Sequence, residues 1–142
     1  MRTVIQRVNS AKVEVEGKTV GQVGKGMLIL AGFSPDDDEA ICLKRAKKIA
    51  GLRIFSDEND KINLSLSDVG GGILCISQFT LYADCTHGNR PSFTAAASPE
   101  IAEPLYDLFC NALSEYAHTE RGIFGADMKV TLENDGPFTV II

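Results

Sequence analysis

Gly72-Ile73-Leu74-Cys75-Ile76-Ser77-Gln78-Phe79-Thr80-Leu81 is the stretch whose reading decides the fold. From Ile73 to Ile76 every residue is apolar, the pattern of a strand covered on both faces. Gly70-Gly71-Gly72 leads into it, and Ala83-Asp84-Cys85 leads out into a polar loop. Ser77, Gln78 and Thr80 bring three hydrogen-bonding side chains to the end of an otherwise buried element. Such an end either caps the following loop or presents a site, and this stretch by itself leaves both readings open.

Upstream, Met27-Leu28-Ile29-Leu30-Ala31-Gly32-Phe33 reads as a second central strand. Before it, Thr3-Val4-Ile5-Gln6-Arg7-Val8 is β-branched and apolar, with a turn or bulge expected at Asn9-Ser10. Val13 and Val15 alternate with Lys12, Glu14 and Glu16, as on a half-exposed strand. Gly17-Lys18 suits a tight hairpin into Thr19-Val20-Gly21-Gln22-Val23. Ser34-Pro35-Asp36-Asp37-Asp38-Glu39 predicts a helix start: a capping hydroxyl, proline at the first position, then acids favoured by the helix dipole. Cys42, Leu43, Ala46, Ile49 and Ala50 form that helix's apolar stripe, and Gly51 ends it.

A second helix carries Leu105, Phe109, Ala112, Leu113 and Tyr116, with His118 near its end. Its start falls either at Ser98-Pro99-Glu100, kinked at Pro104, or near Glu103-Pro104. Alternation from Ala126 to Leu132 predicts a further strand, Asn134-Asp135-Gly136 a turn, and Pro137 to Ile142 the last strand. About nine strands and two helices, without βαβ alternation, indicate an α+β fold. The expectation is one domain over residues 1–142 whose largely antiparallel sheet is strongly curved and barrel-like.

The chain has 14 Lys and Arg against 19 Asp and Glu, a formal net charge of −5. A protein that grips a long stretch of nucleic acid offers a basic face. Any RNA contact should therefore be local, such as one strand end, through Arg90 or through Lys44, Arg45, Lys47 and Lys48, which also read as a solvated helix face. No run of about 18 apolar residues predicts a membrane span. The start, Met1-Arg2-Thr3-Val4-Ile5-Gln6-Arg7, lacks the apolar stretch of a secretory signal, so a cytoplasmic location is expected. Cys42, Cys75 and Cys110 sit among apolar neighbours as buried thiols, whereas Cys85 lies in the polar loop. Their spacing, with only His87 and His118 as histidines, matches no zinc pattern; no metal or cofactor is expected.

The second unusual stretch is Asn134-Asp135-Gly136-Pro137-Phe138-Thr139. A proline entering a strand lacks the ladder's donor hydrogen and belongs at an edge. Together with Ser77-Gln78-Phe79-Thr80-Leu81, this stretch resembles the two signature motifs of the D-aminoacyl-tRNA deacylases. The likeness extends to Met1-Arg2-Thr3-Val4-Ile5-Gln6-Arg7-Val8 and Gly88-Asn89-Arg90-Pro91-Ser92-Phe93, and so covers essentially the whole chain. Phe138 departs from the family's more frequent valine, and His87 from its commoner lysine.

The resemblance implies a homodimer that hydrolyses the ester of D-aminoacyl-tRNA, and of glycyl-tRNA, as chiral proofreading in translation. It implies a cis Gly136-Pro137 bond inserted into the partner subunit's site. There its two carbonyls hold the substrate α-amino group and exclude an L side chain, with Arg7 supporting those carbonyls. Ser77, Gln78, Phe79 and Thr80 would line the pocket for the terminal adenosine and the ester.

An aminoacyl ester is already reactive, so a site needs only to position it, stabilise the oxyanion and admit water. Backbone N–H groups near Phe79 and Thr80 are candidate oxyanion donors. Two attacking groups stay open. One is the Thr80 hydroxyl, which needs an adjacent base; the other is a positioned water, helped by the RNA's terminal 2′-hydroxyl. Beside this stand a non-catalytic RNA-binding or interaction module of the same fold, and a cysteine hydrolase built on Cys85 that lacks a base.

Overall fold

Eight strands and two helices make up the computed structural model, which describes residues 1–142; one strand fewer forms than the sequence suggests. In chain order these are β1 (Arg2–Val15), β2 (Lys18–Val23), β3 (Gly26–Gly32), α1 (Glu39–Ala50), β4 (Phe55–Ser56), β5 (Ile62–Leu64), β6 (Gly72–Ser77), α2 (Pro99–Ser114), β7 (Thr119–Arg121) and β8 (Lys129–Ile141). The long strand β1 is the spine. One edge pairs antiparallel with β3 over Arg2 to Val8 and then with β2 over Ala11 to Val15. The other edge pairs antiparallel with β8. Asn9-Ser10 is where β1 leaves β3 and joins β2. Val8 faces Asn134 and Ser10 faces Glu133, so of the turn or bulge expected there the bulge forms, within one continuous strand. The hairpin turn sits at Glu16-Gly17, both at positive φ, one residue earlier than expected.

The largest correction concerns topology. β3 pairs in parallel with β6, and β6 in parallel with β7. Parallel neighbours need a crossover, and the helices supply both, α1 between β3 and β6 and α2 between β6 and β7. The chain therefore does contain βαβ units within a sheet whose other pairings are antiparallel. At the far side β7 comes back against β2. A Cβ on Gly21 would lie 3.0 Å from the Arg121 carbonyl oxygen, so the bare glycine lets the sheet curl nearly shut.

Alternating side chains of β3 and β6 feed two cores, as the period of two on a strand dictates. Met27, Ile29, Ala31, Ile73 and Cys75 meet Cys42, Ala46 and Ile49 of α1 and Tyr106, Phe109 and Leu113 of α2. Leu28, Leu74 and Ile76 join Val8, Ala11, Val13 and Val23 inside the curl. Tyr106 pins α2 to the sheet, its hydroxyl donating to the Cys75 carbonyl at 2.9 Å.

Helix boundaries moved for local reasons. Asp38, not Ser34, caps α1, its Oδ1 accepting from the Ile41 N–H at 2.8 Å. Asp37 is taken by the Met1 ammonium and by the Ser34 N–H, which makes Ser34 to Asp37 a turn ahead of the helix. Leu43, expected on the buried stripe, is 46% exposed. α2 begins at Pro99 and accommodates Pro104 inside, while His118 lies beyond its end.

The parallel β3–β6 ladder sets Gly26 opposite Gly72, and a Cβ on Gly26 would fall on the Gly72 backbone. A Cβ on Gly24 meets nothing within 4 Å. Gly26→Ala is expected to lower unfolding free energy in urea by about 3 kcal/mol, the upper range for overpacking. Gly24→Ala should stay within about 0.5 kcal/mol. Equal effects would contradict the close strand approach.

Candidate active site

Because β3 and β6 run parallel, their C-terminal ends lie side by side, with Ala31 opposite Ser77. The Gln78 N–H donates to the Ala31 carbonyl at 2.7 Å, and there the chain leaves the sheet. Phe79–Tyr82 forms a 3₁₀ turn, where the sequence suggested a strand continuing to Leu81. Gly32 permits this turn, since a Cβ there would lie 2.8 Å from the Gln78 carbonyl oxygen and 3.2 Å from Leu81 Cβ. Arg2 holds its far end, donating to the Leu81 carbonyl at 2.9 Å and lying 4.5 Å over the Tyr82 ring.

A cavity of about 640 Å³ opens at these strand ends. Ser77, Gln78 and Phe79 line it together with Ala31, Gly32 and Phe33. Further wall comes from Phe93, from Ala96 to Pro99 with Ala102, and from Phe124 to Ala126 with Met128 and Val130. None of the lining side chains is ionisable. Phe79 is 57% exposed and meets Phe93 edge-on with ring centroids 5.1 Å apart, giving the cavity an aromatic rim. Thr80 is exposed and does not line the cavity; its Oγ1 accepts from Gln78 Nε2. An amide is no base in either orientation. The first bond closing the turn runs from the Leu81 N–H to the Gln78 carbonyl, which leaves the Phe79 and Thr80 N–H groups without a partner inside it.

The second motif forms a bulge. Gln6 faces Thr139 and Val8 faces Asn134, so four residues, Asp135 to Phe138, stand opposite Arg7 alone. The expected turn at Asn134-Asp135-Gly136 is thus an interruption within one strand. Gly136 and Pro137 are exposed and joined by a cis peptide bond. Arg7 fills the bulge and is only 8% exposed. Its Nη1 donates to the Ile54 carbonyl at 2.7 Å and its Nε to the Asp135 carbonyl at 3.1 Å. The same Nε lies 3.0 Å from the Asp135 carboxylate, and the guanidinium sits 4.9 Å from the Phe138 ring centre. The carbonyl Arg7 holds is therefore Asp135's, one residue ahead of the Gly136-Pro137 pair it was expected to support. Gly136 has φ +133°, and a Cβ there would lie 3.1 Å from Arg7 Nη2 and from the Phe138 nitrogen.

Within the chain the two motifs do not share a pocket, since Arg7, Gly136 and Pro137 are absent from the cavity wall. Arg90 is exposed in a loop closed by reciprocal Asp84 and Ser92 backbone bonds of 2.8 and 2.9 Å, directly before Phe93. His87 is exposed in that loop, His118 pairs with Glu120 at 3.2 Å, and neither reaches the cavity. No three His, Cys, Asp or Glu side chains gather where they could hold a metal ion, and no helix is long and apolar enough to cross a membrane. Sequence reasoning missed Ala96, Ala97 and the Phe124 to Ala126 segment. Small and apolar residues in stretches without a period carry no signal for a cavity, and Met128 and Val130 read simply as the inner face of a strand.

The fold and the cavity define a class: small, nearly closed mixed-sheet proteins with an uncharged cavity at the ends of parallel strands. Similarity to known proteins narrows the class to a family. The family described as D-Tyr-tRNA(Tyr) deacylase matches residues 4–142. D-aminoacyl-tRNA deacylases of Limosilactobacillus reuteri and Lactobacillus acidophilus are 56% and 54% identical to this chain, covering 99% and 100% of it and 98% and 99% of their own lengths. Among solved structures, one titled c-Myc DNA Unwinding Element Binding Protein superposes with a TM-score of 0.93 at 38% identity, covering 100% of this chain and 97% of that one. A probable eukaryotic D-amino acid tRNA deacylase shares the fold, with a TM-score of 0.85 at 19% identity over 99% and 97% of the two chains. The chain belongs to the D-aminoacyl-tRNA deacylase family.

Cys42, Cys75 and Cys110 are buried and Cys85 is exposed. Burial pushes the Cys42 thiol up to about 11 and raises Cys75 as well. Thiolate, not thiol, is the nucleophile. Cys110 is shifted the other way, lowered first by its hydrogen bond with Cys75, but at 3% exposure it is closed to reagent. Iodoacetamide at neutral pH should therefore give the native protein one adduct, on Cys85, by mass spectrometry. A second adduct before unfolding would contradict the packing.

Proposed function

We propose that this protein hydrolyses the ester joining a D-amino acid to the 3′ end of tRNA, releasing free tRNA and the amino acid. It thereby acts as a chiral proofreader of translation. The observation that carries the reading is the cavity, where the family motif Ser77-Gln78-Phe79 ends on uncharged walls beside unpaired backbone N–H groups. The Phe79–Phe93 rim receives the terminal adenosine, an aromatic edge being a sequence-tolerant platform for a base. Water adds to the ester carbonyl carbon, and the oxyanion is taken up by the Phe79 and Thr80 N–H groups. The bond to the 3′-oxygen then breaks, and the neighbouring 2′-hydroxyl relays the water's proton to that leaving oxygen. Thr80 as nucleophile is the weaker alternative because only an amide adjoins it.

Stereochemical selection falls to Gly136-Pro137 of a second copy, reaching into the cavity with its carbonyls toward the substrate α-amino group. An L side chain would collide with them, a D side chain projects away, and glycine has nothing to exclude. Two features support a dimer of this kind. β8 pairs only with β1, leaving one long edge open, and such edges are normally covered. Ile141 on that strand is 74% exposed. The net charge of −5 fits a contact confined to the tRNA terminus, with Arg90 beside the rim as the cation for its phosphates.

The test is deacylation of D-tyrosyl-, L-tyrosyl- and glycyl-tRNA, with the first and third cleaved and the second spared. Binding without any ester turnover would favour a non-catalytic RNA-binding module. Thr80→Ala should keep activity within about tenfold, whereas a loss of about 10⁴-fold with the fold intact would mean covalent catalysis. Gly136→Ala places a side chain at φ +133° against Arg7. It should cost about 1–3 kcal/mol of stability and weaken D-over-L selection. Light scattering should report a dimer; a fully active monomer would refute the shared site.

A further inference from the structure

Gly136 and Pro137 are exposed, so packing within the protomer does not set their direction. The bulge is held instead at its two ends. Arg7 holds the first through the Asp135 carbonyl. At the second, the Phe138 residue stands outside the β1–β8 pairing, and its N–H donates to Asn134 Oδ1 at 2.7 Å. The other end of the same amide, Nδ2, reaches Thr139 Oγ1 at 3.4 Å. Thr139 Oγ1 in turn accepts from Gln6 Nε2 at 3.3 Å, on the neighbouring strand. One side chain thus ties the residue before the bulge to the bulge's last residue and to the residue after it.

From this we infer that Asn134 is a positioning residue for chiral selection. Its amide closes the bulge and fixes the direction in which the Gly136 and Pro137 carbonyls project. The inference rests on the proposed role of those carbonyls in rejecting L-aminoacyl esters. An amide suits the task because it offers an acceptor and a donor on one rigid plane. Asx side chains bond nearby backbone N–H groups readily, substituting for a main-chain turn bond. Without that bond the bulge keeps only its Arg7 anchor, and Gly136, at φ +133°, is the residue best able to swing.

The test compares wild type with Asn134→Leu, similar in size but without an acceptor, and Asn134→Asp, which keeps an acceptor for Phe138 and accepts from the Thr139 hydroxyl. The readout is the ratio of kcat/KM for D-tyrosyl-tRNA over L-tyrosyl-tRNA. Asn134→Leu should lower it by about tenfold, the factor that one hydrogen bond of ordinary net strength controls. Asn134→Asp should hold it within about threefold of wild type, as the Phe138 bond is kept, the Thr139 hydroxyl becomes the donor, and the added charge is partly exposed. Amide hydrogen exchange reports the bond directly, with Phe138 protected in wild type and about tenfold faster in Asn134→Leu. A selective wild type whose ratio survives Asn134→Leu overturns this inference alone, as does equal loss for both enantiomers. Should Asn134→Leu fail to fold, an unprotected Phe138 amide in wild type, or a tenfold fall in the ratio for Asn134→Asp, overturns it too. A wild type that cleaves both enantiomers alike, or neither, overturns the functional reading and this inference with it.

Discussion

Taking a guanidinium out of water costs several kcal/mol unless its N–H groups find acceptors, and Arg7 is only 8% exposed. Its acceptors come from two distant parts of the chain, the Ile54 carbonyl and the Asp135 carbonyl with its carboxylate. Arg7 lies on the spine strand β1, and four residues of β8 must bow outward to let its side chain lie beneath them. The bulge is thus the consequence of satisfying one buried cation. That bulge carries Gly136 and Pro137 out of the ladder and leaves them exposed. The Phe138 ring completes the arrangement by covering the guanidinium. Removing the cation would leave the bow without a filling, and removing its acceptors would leave a charge buried unpaired, the more costly case.

The cavity depends on a different constraint, the parallel pairing of β3 and β6. Antiparallel neighbours would have sent the Ala31-Gly32 and Ser77-Gln78 ends to opposite sides of the sheet. Parallel pairing brings them together, and the crossover helix α2 adds the Ser98-Pro99-Ala102 wall. Gly32 then decides what the strand end becomes. With no side chain there, the Phe79–Tyr82 turn folds down over β3 and exposes backbone N–H groups rather than another rung of the ladder.

A site assembled from backbone, small residues and aromatic edges explains how an acidic protein can act on RNA. A wall without ionisable side chains makes no repulsion against phosphates, and it offers no side-chain acid or base. An activated ester asks little more of a protein than placement and a home for the oxyanion. Stereochemistry can likewise be read by main-chain carbonyls, which are indifferent to what the permitted side chain is.

The apolar runs Met27–Ala31 and Ile73–Ile76 determined by themselves that two central strands would be buried on both faces, because no alternation left either a wet side. Alternation at Val13 and Val15 and from Met128 to Leu132, the stop at Gly51, and the burial of Cys42, Cys75 and Cys110 were legible for the same reason, being local patterns of apolarity or backbone freedom. The family likeness marked Ser77, Gln78, Phe79 and Thr80, with Gly136, Pro137 and Arg7, as the expected functional residues. Tertiary structure decided that β6 pairs in parallel, since a continuous apolar run marks burial on both faces without fixing direction, and direction is set by where the helices return the chain. It decided that Asp38 rather than Ser34 caps α1, because the Met1 ammonium claimed Asp37 from across the fold. It also decided that Asp135 to Phe138 is a bulge around Arg7, where a turn was expected at Asn134-Asp135-Gly136. A turn is written in local residues, but a bulge is written in what must fit beneath it, and that side chain lies 128 residues away from Asp135 in sequence.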